Sequence, residues 1–304
     1  MMTMTKKENS ITFTSPIGTN GRIGNTLFQI AATYSLFLNE VIKTKNNAPD
    51  DDCVVSIGFP AWEHYKHFKN LPKQNEQYQI EKFDCTHVYR EQSFHYTEID
   101  LSLAFEIKKI PNQKIIDVHG YFQSEKYFIN NKKIVLSALE LSDEIINKCS
   151  NVLRTIAETE KNGLKFTSIH LRFGDYLENP YYFNLPSSDY YNRAIEKMVY
   201  EKGRQIFLIF SDDKPLARKA IEQFQAKHSE PILCYIIDGL SDIQELCLMS
   251  LCSNHITANS SYSWWGSYLC KNETKLVIMP SRWFDGNGLK NETKDLYYEG
   301  TTVI

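Results

Sequence analysis

The chain has 304 residues, 42% of them hydrophobic and 23% charged, which is enough to bury a sizeable core and most naturally makes two domains. That composition excludes disorder and a collagen-like repeat, and no run of about 18 apolar residues marks a membrane span. The formal net charge of -3 and the lack of a Lys/Arg stripe argue against a nucleic-acid partner, while local positive charge can still bind a small anion.

The cysteines (Cys53, Cys85, Cys149, Cys234, Cys247, Cys252 and Cys270) are odd in number, irregularly spaced and free of any C-x-x-C pair. Buried free thiols in a reducing compartment are expected, without disulfides or zinc. The opening residues lack the apolar core of a signal peptide or anchor, so the expected setting is soluble and cytoplasmic, at most peripheral at a membrane. On that expectation the glycosylation patterns at Asn272 and Asn291 are ordinary surface sequence.

Along the chain, residues 11–17 alternate like a short strand. A glycine-rich turn with Gly18, Gly21, Gly24 and Asn25 follows. It leads into a helix over 26–38, with Leu27, Ile30, Ala31, Tyr34 and Leu38 at helical spacing. Such a strand, glycine loop and helix can turn backbone N–H groups toward a ligand, but the spacing fits neither G-x-G-x-x-G nor a P-loop. Residues 43–110 are polar, aromatic and poorly periodic, and only a strand over 53–57 and a short aromatic segment over 62–68 are legible. The acidic run Asp50, Asp51, Asp52 contains a D-x-D pattern, read as a solvated loop in preference to a metal site. A buried strand begins at Lys114, and the polar residues Gln123, Ser124, Glu125 and Lys126 follow where a strand would meet a cleft. Ser142 with Glu144 opens an amphipathic helix ending near Glu160, which Lys161, Asn162 and Gly163 stop. The domain boundary is placed there, giving domains of residues 1–162 and 163–304.

Beyond Gly163, strands over 166–171, 205–210, 232–237, 255–258 and 275–279 alternate with helices over 188–201, 215–225, 241–251 and 262–270. This alternation predicts a doubly wound parallel sheet, whose ligands bind beyond the strand carboxyl ends. The polar groups after the strands fall there: Arg172 to Tyr176, Ser211 to Asp213, and Asn259 to Ser261.

Arg172 follows a buried strand and offers a planar fork of donors to phosphate oxygens, with His170 on the same face. The competing reading is an Arg–carboxylate strut between Arg172 and Asp175. Asn259, Ser260 and Ser261 end a strand and start a helix, so hydroxyls and first-turn N–H groups can form an anion site; helix capping alone would explain one serine. Trp264 and Trp265 can stack on a sugar or base, although neighbours on a helix point apart and at least one belongs to the core. Asp212 and Asp213 can bind ribose hydroxyls, cap the next helix or hold a metal. Glu245 lies in an otherwise apolar helix, where it can accept from guanine N–H groups or face solvent.

Six blocks in order resemble the α-1,2-fucosyltransferases of glycosyltransferase family 11. They begin with Gly24-Asn-Thr-Leu-Phe-Gln29, Gly120-Tyr-Phe-Gln-Ser-Glu-Lys-Tyr-Phe128 and His170-Leu-Arg-Phe-Gly-Asp-Tyr176. Phe210-Ser-Asp-Asp213, Asn259-Ser-Ser-Tyr-Ser-Trp-Trp-Gly266 and Pro280-Ser-Arg-Trp-Phe284 complete the set. The resemblance implies a GT-B-like α/β fold of two Rossmann-like domains, an acceptor-side first domain and a GDP-fucose-binding second one. It implies inverting transfer of L-fucose to the 2-hydroxyl of a galactose-terminated glycan, with no metal or other cofactor. Arg172 would take the donor pyrophosphate, helped by His170, Ser260, Ser261 and Tyr262, with Asn259 and Asp212 in the same site. Gly24 and Asn25 would face the donor from the first domain, Glu245 would read guanine, and Asp175 is the candidate general base. Two positions depart from the family pattern: Thr26 stands for Gln, and Phe173 for a second Arg. The rival readings are a different acceptor or linkage, including a protein hydroxyl, and a GDP-sugar-binding protein without catalysis.

Overall fold

The computed structural model describes residues 10–18, 21–47, 53–72, 85–228 and 230–304. The acidic run Asp50–Asp52 and part of the glycine loop, Thr19 and Asn20, lie outside them. The chain forms two compact units, Met1–Glu140 and Leu141–Ile304. The division falls before the helix Asp143–Glu160, not after it as expected from the stop at Gly163. The reason is packing: this helix lies on the helix Asp242–Leu251 of the second unit, where Cys149 Sγ donates to the Gln244 carbonyl (3.3 Å) and Lys148 Nζ to Gln244 Oε1 (3.2 Å). Ser142 holds the N-cap position, but its hydroxyl makes no capping bond.

The first unit contains β1 (Ser10–Thr14), α1 (Ile23–Asn47), β2 (Val54–Ile57), β3 (His87–Arg90), β4 (Phe105–Glu106), β5 (Gln113–His119) and α2 (Lys132–Ala138). Its sheet runs β2-β1-β5-β3-β4, parallel except for the antiparallel edge pair β3/β4. Helix α1 buries Leu27, Phe28, Ile30 and Ala31. It starts three residues earlier than its periodicity indicated, so Gly24 and Asn25 sit in its first turn instead of in the preceding loop.

The second unit contains α3 (Asp143–Glu160), β6 (Lys165–Leu171), α4 (Gly174–Glu178), α5 (Tyr190–Lys202), β7 (Gln205–Ser211) and α6 (Lys214–Lys227). It continues with β8 (Leu233–Ile236), α7 (Asp242–Leu251), β9 (Asn254–Ile256), α8 (Ser261–Tyr268), β10 (Val277–Met279) and β11 (Thr301–Val303). The six strands are ordered β11-β10-β9-β6-β7-β8, all parallel. Winding starts at β6, adds β7 and β8 on one side, then returns to add β9, β10 and β11 on the other. The switch point of this doubly wound sheet therefore lies between β6 and β9, where crevices open beyond the carboxyl ends of such strands.

Central parallel strands are covered on both faces, so they read as continuous apolar runs and every polar exception must find a partner. β7 is buried along its whole length. The exceptions on β6 are paired: Thr167 Oγ1 donates to Gln205 Oε1 (3.0 Å), Ser168 Oγ bonds His255 Nδ1 (2.8 Å), and His170 Nδ1 bonds Ser263 Oγ (3.0 Å). From α5, the Tyr191 hydroxyl donates to the His170 carbonyl (2.7 Å), and the Tyr190 hydroxyl to the Thr257 carbonyl (2.9 Å). These bonds tie helix, strands and switch point together.

Candidate functional site

Chain direction at the end of β6 is set by residues 172–175. Phe173 is buried in the apolar cluster with Ile169, Leu171, Leu185 and Ile209. The family pattern's second arginine is thus replaced by a side chain that this fold turns into the core. Gly174, at φ +30, begins α4. A Cβ there would lie 2.5 Å from Asp212 Oδ2, so the glycine is what lets this carboxylate approach the turn.

Arg172 is gripped by two acids. Its Nη1 lies 2.6 Å from Asp212 Oδ2, its Nη2 donates to Asp175 Oδ1, and its guanidinium carbon stands 5.1 Å from the centre of the Tyr176 ring. The Arg172 side chain is only 10% exposed and Asp212 17%, whereas Asp175 is 59% exposed. Asp212 Oδ1 also accepts from the Phe173 N–H (2.9 Å), which fixes that acid to the β6 exit. The strut reading of Arg172 and Asp175 is therefore correct as geometry, with Asp212 as a second, better shielded brace. The guanidinium has five N–H donors in a rigid plane, so two carboxylate contacts leave others for an anion. Tyr176 in turn stacks on Tyr182 (4.0 Å) and donates to the Asn259 carbonyl (3.2 Å).

Across the switch point, Ser260 caps α8, its Oγ accepting from the Tyr262 N–H (3.3 Å). Ser261 is the first helical residue. First-turn N–H groups and the positive end of the helix dipole favour an anion there. Asn259 is otherwise employed: its Nδ2 donates to the Phe183 (3.0 Å) and Trp283 (2.8 Å) carbonyls, so its amino group anchors two loops and is not offered to a ligand. His170 is buried with its ring edge-on to Tyr262 at 5.5 Å. Burial, reinforced by the nearby Arg172 and Lys214 cations, pulls its pKa down to about 3, so the ring is neutral. Ser263 Oγ accepts from the Ala258 N–H (3.1 Å), donates to the Ser260 carbonyl (3.4 Å) and also meets His170 Nδ1 (3.0 Å). A neutral imidazole keeps one ring N–H to donate and one ring nitrogen to accept.

The two acids after β7 divide their labour. Asp213 caps α6, its Oδ1 accepting from the Leu216 N–H (2.8 Å), while Asp212 braces Arg172. Glu245 does not face solvent: it is largely enclosed and bonded to Lys214 Nζ at 3.0 Å. Burial raises its pKa, against the lowering effect of Lys214. Lys214 was not singled out in the sequence. Its position directly after Asp212 and Asp213, at a strand's carboxyl end, is the signal that marks it. Both indoles of Trp264 and Trp265 are buried, and Trp264 Nε1 donates to the Leu296 carbonyl (2.6 Å), so neither stacks on a sugar.

The second unit thus brings Arg172, His170, Asp175, Asp212, Ser260, Ser261 and Tyr262 together around the β6/β9 switch point, with the Lys214–Glu245 pair adjoining. In the first unit Asn25 Oδ1 accepts from Gln123 Nε2 (2.8 Å), joining two residues from separate sequence blocks, and Gly24 is buried in the first turn of α1.

A braced arginine after β6 and a capped helix N-terminus after β9, at the switch point of a doubly wound sheet, are groups suited to an anion. The chain belongs to glycosyl transferase family 11, whose sequence profile matches residues 17–300. It is similar to the O-antigen biosynthesis glycosyltransferase WbnK of Escherichia coli, with 26% identity over 91% of this chain and 97% of that protein. It is also similar to an alpha-1,2-colitosyltransferase of Escherichia coli, with 29% identity over 58% of this chain and 59% of that one. Among solved structures, Arabidopsis thaliana FUT1 in complex with GDP aligns with 88% of this chain and 70% of its own, at 11% identity and a TM-score of 0.49. POFUT1 in complex with GDP aligns with 88% and 95%, at 14% identity and a TM-score of 0.48. The chain is a glycosyltransferase, and its two α/β units on separate, mainly parallel sheets give it a GT-B-like fold. No helix among the described residues is long and apolar enough to cross a membrane.

Proposed function

We propose that the protein transfers L-fucose from GDP-fucose to the 2-hydroxyl of a terminal galactose on a glycan, with inversion and without a metal ion. The observation that carries this reading is Arg172, held between Asp175 and Asp212 at the β6 exit beside the switch point. The α-1,2 linkage in the name of the colitosyltransferase relative and the O-antigen role in that of WbnK support the linkage and a glycan acceptor.

The reaction is a single displacement at the anomeric carbon. The bond from carbon to the β-phosphate oxygen breaks as the acceptor oxygen bonds from the opposite face, and GDP leaves with the electron pair. Negative charge grows on the pyrophosphate as the bond lengthens. Arg172, His170 and the N–H groups around Ser261 and Tyr262 stabilise that charge more than they stabilise the bound donor, which is what lowers a barrier. Glu245, paired with Lys214, reads the guanine edge. Asn25 takes part in transfer, as the resemblance of its Gly24-Asn25 block implies. Asp175 is exposed and committed to Arg172, so its role is to orient the arginine; the acceptor proton passes to solvent or to a group of the acceptor complex.

The test is incubation with GDP-fucose and lactose or N-acetyllactosamine in EDTA, with the product linkage determined by NMR. A Fuc-α-1,2-Gal product is expected. A different linkage would overturn the acceptor assignment, strict Mn²⁺ dependence the metal-free account, and turnover only with a GDP-colitose donor the sugar assignment.

A further inference from the structure

The segment that follows β5 in the first unit reverses direction within a few residues. Phe122 is buried and held at φ 50, a conformation that costs a non-glycine residue about 1 kcal/mol or more and persists only when its surroundings enforce it. Glu91, the first residue after β3, supplies the enforcement. Its Oε2 accepts from the Tyr121 N–H (2.7 Å), and its Oε1 from the Phe122 N–H (3.0 Å) and the Tyr127 hydroxyl (3.3 Å). The carboxylate fits only because residue 120 is glycine: a Cβ there would lie 2.6 Å from Glu91 Cβ and 2.8 Å from Oε2. Gln29 Nε2 donates to the Gly120 carbonyl (3.0 Å), tying the same turn to α1. The next residue along, Gln123, donates its amide to Asn25 Oδ1 (2.8 Å).

We infer that Glu91 is a positioning residue for the transfer reaction: by clamping Tyr121 and Phe122 it sets Gln123, and Gln123 sets the orientation of the Asn25 amide. The inference rests on the reading that Asn25 contributes to transfer. An acceptor with two oxygens is what three converging donors require; a glutamine would turn its own NH₂ group against one of them. The ionised acid is therefore the competent form, and a proton on it would put a fourth donor among donors.

The groups around Glu91 allow its titration to be read separately. Burial raises its pKa to about 7, against the lowering effect of the three donors. Tyr127 and Tyr89, the titratable groups coupled to it, are themselves pushed up by burial and by the Glu91 charge, away from neutrality. On the turn that carries Tyr127, Glu125 is bonded to Lys132 (3.4 Å), and Lys126 lies over the Tyr96 ring.

The experiment measures kcat and KM for fucosyl transfer across pH 5.5–8.5, as an approximate range, together with the Kd for GDP, in wild type, Glu91→Gln, Gln123→Ala and the double variant. Each single variant is expected to lower kcat by about tenfold or more and to leave the GDP Kd within about twofold, since the proposed contacts to GDP itself are Arg172, His170, Ser260, Ser261, Tyr262 and Glu245. The double variant is expected to be no slower than the slower single one, because both changes cut the same chain of contacts. The wild-type rate is expected to fall as pH drops below about 7, and Glu91→Gln to lose that limb. A Gln123→Ala enzyme as fast as wild type would overturn the inference, including the case in which Glu91→Gln fails to fold. So would additive losses, or an acid limb unchanged in Glu91→Gln. A wild-type chain with no transfer activity would overturn the functional reading and this inference with it, whereas active wild type with indifferent variants overturns this inference alone.

Discussion

Arg172 and Asp212 form the structural centre of the second unit's site: a 2.6 Å ion pair whose acid also holds the Phe173 N–H at 2.9 Å. One carboxylate thus fixes both the backbone turn after β6 and the direction of the guanidinium at its end. Asp175, on the other side of the arginine, is exposed, and its carboxylate meets the guanidinium from the solvent side.

This asymmetry ranks three substitutions. Arg172→Ala is expected to reduce kcat/KM by about a thousandfold, and Arg172→Lys to recover little of it, because an ammonium cannot replace a planar fork. Asp212→Asn is expected to cost about ten- to a hundredfold, chiefly in kcat, by loosening the arginine and leaving a buried N–H less well satisfied. Asp175→Asn is expected to change kcat by less than about tenfold, since exposed ion pairs contribute little. Steady-state kinetics with GDP-fucose check the order; an Asp175 variant as poor as the Arg172 one would return Asp175 to the role of base.

Phe173→Arg, which reinstates the family's second arginine, is expected to weaken the fold and not to strengthen donor binding. Its side chain would enter a cluster of Ile169, Leu171, Leu185 and Ile209 that offers no counter-charge. An unpaired charge in such a place costs several kcal/mol, about 3–5 by comparison with broken buried pairs. Urea unfolding is the measurement, and a variant with unchanged stability and tighter GDP binding would show that the position can turn outward.

Trp264 tests core against sugar contact. Trp264→Phe is expected to retain the acceptor KM within about twofold while losing about 1–3 kcal/mol of stability, from lost volume and the lost bond to the Leu296 carbonyl. A large rise in acceptor KM at unchanged stability would mean that the indole meets substrate after all.

The two units are expected to respond to acid in opposite senses through their buried groups. His170 and His255 in the second unit are held near 3, below the ordinary 6.5, by burial first and nearby cations second. The unfolded chain binds those protons more readily, so their contribution is present above pH 6.5 and is lost as pH falls from there toward 3. The slope is roughly 1.4 kcal/mol per pH unit for each group. Glu91 in the first unit is raised from 4.5 to about 7, so its contribution is full below pH 4.5 and is lost as pH rises through 7. Hydrogen exchange at pH 5.5 and 7.5, read separately for β1/β5 and β6/β7, checks this. Glu91→Gln should flatten the first response and leave the second unchanged.

Much of the second unit was legible because its elements are long and periodic. β6, β7, α5, α6 and α7 begin and end within a few residues of where alternation and capping place them. The site positions Arg172, Ser260 and Asp212 were legible as polar residues interrupting apolar strand ends. The missed parts share a physical cause. β3 and β4 are four and two residues long, too short to establish a period, and β4 is exposed on both residues. The start of α1 at Ile23 was hidden because glycine and asparagine count against a helix, yet a first turn tolerates both. The commitment of Asn259 to two loop carbonyls depends on residues 76 and 24 positions away, and the buried bond of Trp264 on one 32 positions away. Spacing within a motif carries no information about such partners.

The winding order of the second sheet has a consequence for the order of events at the ribosome. β6, which carries Arg172, finds its β9 neighbour through the register Ser168↔His255, and α8 follows only at Ser261. Until that late part of the chain has emerged, the arginine end of β6 has a partner strand in β7 but lacks its opposite wall. A nascent chain can therefore settle the β6/β7/β8 half of the sheet early while remaining unable to hold a nucleotide, so ligand binding reports completion of this unit and not its first collapse.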